Sequence, residues 1–270
     1  MVELTLYHGD CLQIMKELPA QSVDLIICDL PYGCLSTGFR GKEPISRFIN
    51  GEQQSSKITT QGCQWDVKIN LEEFWKEVKR IRKNEHTPCI HFCTTKFGNE
   101  LINSNPTEFR YDLVWNKQRG VSFLSANKMP MRSHEMIYVF SKNGAFYHRI
   151  DEDAPDKKAW NHTNDKKPNA TNCYGSKKTL IASGGDGVRC SLSVLNFDKK
   201  GICGSHPTEK SENLYKWLIE RYCPAGGTVL DPTFGSGNSV FTAYTMGRNA
   251  IGIEMDDTFF EKAVERLNAL

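Results

Sequence analysis

The chain has 270 residues, a formal net charge of +2, 39% hydrophobic and 24% charged residues, a composition typical of one globular α/β domain, alone or with a smaller insertion. Its apolar runs are shorter than the roughly 18 to 20 residues of a membrane span, and its first ten residues do not resemble a secretory signal. A membrane protein is therefore disfavoured, and we expect a cytoplasmic one. So small a charge does not by itself indicate nucleic-acid binding, which must be argued from local charge and motifs.

The amino-terminal half alternates between strand-like and helix-like segments. Continuous apolar runs predict strands in a sheet that is covered on both faces, and apolar spacings of three and four predict helices. We predict strands at 4–7, 23–28, Cys89–Cys93, 111–115 and 135–140, and helices at 11–18 and 71–83. Residues 33–64 are polar and rich in Gly, Ser and Gln, which predicts a mobile loop with a functional role.

Residues 141–205 interrupt this alternation and lie in the part of the chain with a net surplus of basic residues. From 141 to 210 there are twelve Lys and Arg against eight Asp and Glu, and large apolar residues are scarce, so we predict a variable insert. The alternation then resumes, and 1–140 and 206–270 together predict one doubly wound, mostly parallel α/β domain. In its second part we predict helices at 213–222, 238–246 and 259–267 and strands at 228–230 and 250–253.

The ten cysteines are scattered along the chain without a Cys-x-x-Cys pair. In a cytoplasmic protein we expect them to stay reduced. Cys89 and Cys93 flank His91 and suggest metal ligands, but their alternation in an apolar strand is better explained by buried thiols. We therefore predict no metal site.

A glycine-rich stretch in the carboxyl-terminal part predicts a ligand site. Asp231-Pro232-Thr233-Phe234-Gly235-Ser236-Gly237-Asn238 follows a predicted strand and opens a predicted helix. Its glycines allow a tight turn close to a ligand, and the helix amino terminus offers free amide donors. The next predicted strand leads about twenty residues on to Glu254, placed like the acidic residue that binds ribose hydroxyls in nucleotide-binding βαβ units.

A second motif, Asp29-Leu30-Pro31-Tyr32, stands at the carboxyl end of the predicted strand 23–28. Open α/β sheets bind their ligands at this end of the strands. A carboxylate, a proline that fixes the backbone and an aromatic ring are adjacent there. From these residues alone, a simple cap and turn explains the motif about equally well.

Together the two motifs resemble those of the amino-group DNA methyltransferases, in the group whose catalytic motif precedes the cofactor motif. The family's catalytic motif, Asp-Pro-Pro-Tyr or a close variant, corresponds to Asp29-Leu30-Pro31-Tyr32. Its cofactor motif, Phe-x-Gly-x-Gly, matches with an offset, because Gly235 directly follows Phe234. Three more segments resemble family motifs: His8-Gly9-Asp10-Cys11, Arg132-Ser133-His134-Glu135 and His206-Pro207-Thr208-Glu209-Lys210. The family usually continues with proline where this chain has Ser211.

The resemblance implies S-adenosylmethionine as the cofactor and a catalytic site at Asp29, Leu30, Pro31 and Tyr32. The Asp29 carboxylate and the Leu30 carbonyl would accept the amine protons of the target base, and Tyr32 would stack on the flipped base. No covalent enzyme intermediate is needed. Cofactor binding is implied for Asp10, Cys11, Asp29, His206, Thr208, Lys210, Asp231, Pro232, Phe234, Gly235, Ser236, Gly237 and Glu254.

The implied activity is methylation of adenine N6 in double-stranded DNA. The insert 141–205 would be the target-recognition segment, with its Lys and Arg on phosphates. Lys117, Trp115 and Phe123 are candidates for the base pocket, although core packing explains the aromatic residues equally well. Whether the protein is a homodimer and whether a restriction enzyme accompanies it stay open.

The same residues also bear on alternative activities. Cytosine N4 methylation is an alternative, because that branch uses the same geometry but more often has Ser in place of Asp29. Glutamine-modifying relatives have Asn at that position, and RNA enzymes often carry extra domains, so RNA and protein substrates are disfavoured. A DNA-binding protein that keeps the fold without catalysis is a further alternative, which the intact Asp29, Pro31 and Tyr32 disfavour.

Overall fold

The computed structural model describes most of the chain. The described residues are 2–32, 45–49, 52–56, 68–121, 126–156, 158, 160–163, 180–184, 187–198 and 209–270. Within these ranges, none of the helices has both the length and the apolar character that crossing a membrane requires.

Six helices and fourteen strands are found in the described residues. The helices are α1 (Cys11–Glu17), α2 (Leu71–Ile81), α3 (Thr95–Ser104), α4 (Glu212–Tyr222), α5 (Asn238–Thr245) and α6 (Asp257–Asn268). The strands are β1 (Leu4–His8), β2 (Leu25–Cys28), β3 (Ile45–Ile49), β4 (Glu52–Ser56), β5 (Cys89–Cys93), β6 (Phe109–Val121), β7 (Arg132–Phe140), β8 (Glu152–Asp153), β9 (Trp160–Thr163), β10 (Leu180–Gly184), β11 (Val188–Arg189), β12 (Val194–Asn196), β13 (Thr228–Asp231) and β14 (Asn249–Glu254).

Eight strands form one sheet in the order β1-β14-β13-β2-β5-β7-β6-β12. From β1 to β5 all neighbours are parallel, β7 is antiparallel to both β5 and β6, and β12 is parallel to β6. The prediction of a mostly parallel α/β sheet is confirmed. From β2 the chain crosses to β5 on one side, and from β13 it crosses to β14 on the other. Such a switch point opens a crevice at the carboxyl ends of the two strands, where α/β sheets bind ligands.

Helices cover both faces of this sheet. Leu25 and Ile27 of β2 point to one face and belong to a core cluster that includes Leu218 of α4. Ile26 points to the other face and belongs to a second cluster that includes Met15 of α1. Every residue of β2 is buried, which explains why this strand is a continuous apolar run and not an alternating one.

Side-chain caps fix where several helices begin. Asp10, Asn70 and Asp256 each accept hydrogen bonds from two backbone amides in the first turn of α1, α2 and α6, the usual role of Asp and Asn at an N-cap. Helix α5 differs, because its N-cap is Gly237 with a φ of 78°. Asp10 is thereby fixed at the carboxyl end of β1, beside the crevice.

Helix α3 is the main element that the sequence pattern did not predict. It begins after Thr94, whose hydroxyl caps the amide of Phe97, and it contains Gly98 in its interior, which lowers helix propensity. A Cβ on Gly98 would lie 2.5 Å from the ring of Tyr138 on β7. The glycine that obscures the helix in the sequence is thus what lets the helix pack against the sheet.

Two predicted irregular regions contain strands. Within the predicted loop 33–64, β3 and β4 pair as an antiparallel hairpin, and the rest of that loop lies outside the described residues. Within the predicted insert 141–205, β12 pairs with β6 in the main sheet. Leu195 of β12 is buried, and the Trp115 indole donates to the Phe197 carbonyl over 2.8 Å. Strand β12 of the predicted insert is therefore part of the main sheet.

Candidate active site

A cavity of about 650 Å³ opens at the carboxyl ends of β1, β2, β13 and β14, within the range typical of small-molecule sites. Both sequence motifs reach it. The predicted site residues that line it are Asp10, Cys11, Asp29, Leu30, Pro31, Tyr32, Lys210, Pro232, Phe234, Gly235, Ser236 and Glu254. Asp231 and Gly237 are not part of its lining, and His206 and Thr208 lie outside the described residues.

The Asp29 carboxylate, at the end of β2, is held through both oxygens. The Tyr32 hydroxyl donates to Oδ1 over 2.7 Å, and the Lys210 ammonium donates to Oδ2 over 2.5 Å. Burial, and next the charge of Asp29, raise the pKa of Tyr32 well above its usual value. The phenol is therefore a neutral hydrogen-bond donor. One-fifth of the Asp29 side chain remains exposed, so the carboxylate still faces the cavity.

Lys210 is the centre of a chain of alternating charges. Its Nζ lies 3.7 Å from Glu135 Oε2, and Glu135 Oε1 in turn accepts from Lys117 Nζ over 3.0 Å. Burial acts to lower the pKa of Lys210, but the charges of Asp29 and Glu135 outweigh it and the pKa is raised. Lys210 is thus a buried, permanently charged ammonium. The sequence implied a cofactor role for it, whereas its observed partners are carboxylates of the protein.

The backbone beside Lys210 is tied to the start of α5. Asn238 Nδ2 donates to Glu209 Oε1 over 2.8 Å and to the Lys210 carbonyl over 3.1 Å, and Asn238 Oδ1 accepts from Arg266 over 2.7 Å. Asn238 directly follows the glycine motif. This side chain therefore links the position of Lys210 to that of the glycine turn.

The glycine turn is organised by Glu254 at the end of β14. Glu254 Oε2 accepts from the Gly235 amide over 2.8 Å, and Oε1 accepts from the amides of Met255 and Asp256 over 2.9 and 2.8 Å. Burial raises the pKa of Glu254, although these backbone donors oppose the shift. The sequence suggested only a ribose-binding role for this residue. The structure shows that it also holds the turn in place.

Asp231 does not line the cavity, but its hydrogen bonds hold the glycine turn in place. Its Oδ1 accepts from the Thr233 amide over 3.0 Å, and its Oδ2 accepts from the Ser239 hydroxyl. Burial raises the pKa of Asp231 to about 7. Gly237 completes the turn: with a φ of 78° it adopts a backbone conformation that favours glycine, and an added Cβ would lie 2.7 Å from the Phe241 ring. These residues shape the turn without lining the cavity.

At the carboxyl end of β1, next to the end of β14, Asp10 and Cys11 begin α1. Asp10 Oδ1 accepts from the amides of Leu12 and Gln13 over 2.8 and 3.1 Å. Burial, and next the charge of Asp10, raise the pKa of Cys11 to about 12. Cys11 is therefore a protonated thiol, which suits a packing residue and not a nucleophile.

The sequence analysis did not assign Glu135 to the site, and it left the choice between pocket and core packing open for Trp115 and Phe123. Glu135 was noted only as part of a motif, and Lys117 as one candidate for the base pocket. Both line the cavity, whereas Trp115 is fully buried in the core and Phe123 lies outside the described residues. The sequence signal that could have identified such a residue is a charge within an apolar strand pattern. A charged side chain that is buried is usually paired with an opposite charge.

The one group of potential metal ligands in the described part of the chain lies outside the cavity lining. Cys28, Cys89 and His91 place their ligand atoms within 4.8 Å of one another, and Cys89 Sγ lies 3.2 Å from His91 Nε2. All three are buried, and the His91 ring packs edge-on against Phe74 and Phe140. The absence of a metal stays a prediction.

Comparison with known proteins places the chain in a family. Residues 23–265 match the family described as DNA methylase. The chain belongs to this family. Among curated relatives, this DNA methylase is 25% identical to the type II methyltransferase M.ScaI of Streptomyces caespitosus, over 99% of the chain and 82% of the relative. It is 28% identical to M.XycI of Xanthomonas campestris pv. cyanopsidis, over 97% and 87%.

Solved structures show a similar fold. The M1.HpyAVI complex with SAM superposes with a TM-score of 0.59 at 20% identity, over 98% of the chain and 99% of that structure. The PvuII DNA methyltransferase, named cytosine-N4-specific, superposes with a TM-score of 0.62 at 15% identity, over 98% and 86%. At such identities the likeness concerns the fold of this DNA methylase and not its substrate.

Proposed function

We propose that this DNA methylase transfers a methyl group from S-adenosylmethionine to adenine N6 in double-stranded DNA. The observation that carries the proposal is that the Asp29 carboxylate and the glycine turn at Gly235 line one cavity. A base amine and a methyl donor can therefore meet there. The order of the motifs, with Asp29 before Gly235, also fits the group in which the catalytic motif comes first.

The residues present fit the proposed cofactor. Gly235 and Gly237 adopt positive φ values of 54° and 78°, so the backbone turns tightly, and at Gly235, which lines the cavity, no side chain stands beside the ligand. Asp10 and Glu254 supply carboxylates at the ends of the adjacent strands β1 and β14, and Phe234 supplies an apolar surface. One solved structure of similar fold is a complex with SAM. When bound, S-adenosylmethionine supplies an electrophilic methyl group.

The chain's own residues would activate the amine. The lone pair of an exocyclic amine is delocalised into the ring, so acceptors for its protons are needed to draw the lone pair out. Asp29 and the Leu30 carbonyl provide them. Tyr32 currently donates to Asp29 Oδ1, which marks the acceptor position that the amine would take. Its ring packs 4.9 Å from the Phe97 ring and is the proposed stacking surface for the flipped base.

Lys210 holds the acceptor in position. Its ammonium binds Oδ2, so the amine would replace the Tyr32 hydroxyl on Oδ1, and the Leu30 carbonyl would accept the second amine proton. Positive charge that develops on the attacking nitrogen is stabilised by the nearby carboxylate. No nucleophilic side chain is required, which agrees with the protonated state of Cys11.

Adenine is preferred to cytosine because of Asp29, and cytosine N4 remains the alternative. One structure of similar fold is named cytosine-N4-specific. We also propose 141–205 as the target-recognition segment of a domain formed by 1–140 and 206–270, and a restriction–modification role in the cytoplasm, which the type II relatives support. A homodimer stays an open alternative, which sedimentation would decide.

The test is transfer of labelled methyl from S-adenosylmethionine to unmethylated genomic DNA, followed by nucleoside analysis. We expect N6-methyladenine, loss of transfer in Asp29→Asn and Asp29→Ala, and retained cofactor binding in both. Asp112→Asn, an exposed carboxylate on β6, is the control and should act like the wild type. N4-methylcytosine as the product would refute the adenine assignment, and full activity of Asp29→Ala would remove Asp29 from catalysis.

A further inference from the structure

We infer that the tip of the β6–β7 hairpin is a DNA-contacting element that borders the catalytic cavity. The hairpin tip is defined here as residues 117–121 and 126–132. The inference rests on the proposed function, because it assumes that duplex DNA presents a flipped base to the cavity. It adds an interaction surface that lies outside the predicted target-recognition segment.

The charge of this region matches a polyanion. From Asn116 to His134 the sequence contains four basic residues, Lys117, Arg119, Lys128 and Arg132, and no Asp or Glu. The 70 residues from 141 to 210 contain the same surplus of four, spread over a much longer segment. Basic residues concentrated on one short element are what phosphate binding requires.

Two of these cations are available to a partner. Lys117 is paired with Glu135, and Arg132 donates weakly to the Thr95 hydroxyl over 3.4 Å. Arg119 and Lys128 are exposed, and neither forms an ion pair with an acidic side chain of the described residues. We therefore assign phosphate contacts to Arg119 and Lys128.

Large apolar side chains accompany the cations. Met129 and Met131 are 57% and 43% exposed, and Pro130 between them restricts the backbone. Met131 lies across Gly120, where an added Cβ would be 2.8 Å from the Met131 Cβ. Proteins that distort DNA insert side chains such as Met and Pro between bases, next to basic residues. An apolar tip can fill the space that a flipped base leaves in the stack.

The position of the tip connects this surface with the reaction. Val121 and Arg132 are paired across the hairpin, and both line the cavity together with Lys117. A duplex bound at the tip would thus present its bases within reach of Asp29. A basic surface elsewhere on the protein would not have this geometry.

The first experiment measures binding of the full chain to a mixed-sequence DNA duplex as a function of salt. For Arg119→Gln/Lys128→Gln we expect several-fold weaker binding and a salt slope reduced by about 2, since each lost phosphate contact lowers it by about 1. The control pair is Lys79→Gln/Lys83→Gln, which removes the same charge from exposed positions near the amino-terminal end of β2. Equal effects of the two pairs would overturn the inference.

The second experiment concerns the methionines. For Met129→Ala/Met131→Ala we expect about tenfold slower methyl transfer to duplex DNA and a much smaller loss on heat-denatured DNA, because single strands need no base extrusion. Leu270→Ala, at an exposed leucine outside both the cavity lining and the proposed target-recognition segment, is the control. Equal losses on duplex and denatured DNA would contradict insertion at the tip.

The two proposals fail in different ways. If the wild type methylates DNA but the tip variants behave like their controls, the hairpin inference is wrong and the proposed function stands. If the wild type neither binds duplex DNA nor transfers methyl groups to it, the proposed function is wrong.

Discussion

The two walls of the cavity are held by different kinds of interaction. On the glycine wall, Glu254 accepts from backbone amides of Gly235, Met255 and Asp256, all within twenty residues along the chain. On the carboxylate wall, Asp29 is held by Lys210, which is 181 positions away in sequence. One wall is a local backbone structure and the other is a set of long-range ion pairs.

This difference separates two tasks. Backbone hydrogen bonds near Glu254 define the shape of the turn that the cofactor would contact. Side-chain charges define the position and charge of the Asp29 carboxylate that the base would contact. We therefore expect changes in the glycine wall to affect cofactor affinity, and changes in the carboxylate wall to affect the rate of transfer.

Lys210→Met should have the largest effect. Without its ammonium, Asp29 and Glu135 repel each other and Asp29 loses its anchor, and displacement of a catalytic group by about 1 Å costs on the order of 100-fold in rate. We expect kcat to fall about 100-fold while the Kd for S-adenosylmethionine, measured by calorimetry, changes less than about threefold. Lys216→Met on the exposed face of α4 is the control. A large loss of cofactor affinity with unchanged kcat would support the cofactor role instead.

Glu254→Gln should have the next largest effect, and it should change the affinity for S-adenosylmethionine more than it changes kcat. The amide keeps one oxygen acceptor but turns an NH₂ toward a backbone N–H, so at least one charge-assisted bond, worth about 1.5 to 3 kcal/mol, is lost. We expect the Kd for S-adenosylmethionine to rise about tenfold or more, and kcat at saturation to change less. Glu261→Gln, an exposed carboxylate on α6, should leave both unchanged. A fall in kcat alone would show that the two walls are not separable.

Disruption of the Lys117–Glu135 pair should have the smallest effect on the rate, because Lys210 still contacts Asp29. Glu135→Gln removes the carboxylate that pairs with Lys117, and Lys117→Met leaves Glu135 with Lys210 as its neighbouring cation. We expect each change to cost about 1 to 3 kcal/mol of unfolding free energy and a few-fold in kcat. The double variant should cost less than the sum of the two. Urea unfolding of all four proteins measures this coupling, and strict additivity would show that the pair makes no contribution.

The secondary structure near the site was largely predictable. Strand β5 was predicted with the same bounds as observed, and helix α4 was predicted to within one residue, because the apolar periods of both are clear. The glycine motif and Glu254 were recognisable because strand, turn and helix follow one another along the chain. These features depend on residues that are close together along the chain, so the sequence pattern is enough to predict them.

Helix α3 and strand β12 show where local patterns fail. Gly98 looks like a helix breaker until its contact with Tyr138 is seen, and β12 has only three residues and is fixed by its pairing with β6. The extension of β6 and β7 beyond their predicted ends likewise depends on their mutual pairing. In each case a tertiary contact overrides weak local propensity.

The sequence by itself determined most strands and helices of the α/β domain and the two motifs at the ends of β2 and β13. Tertiary structure alone decided that Lys117, Glu135 and Lys210 come together around Asp29. The physical reason is that no local sequence pattern identifies the ion-pair partner of a charged side chain. Its burial becomes favourable only when the opposite charge is brought to it, and that requires the sheet to be assembled.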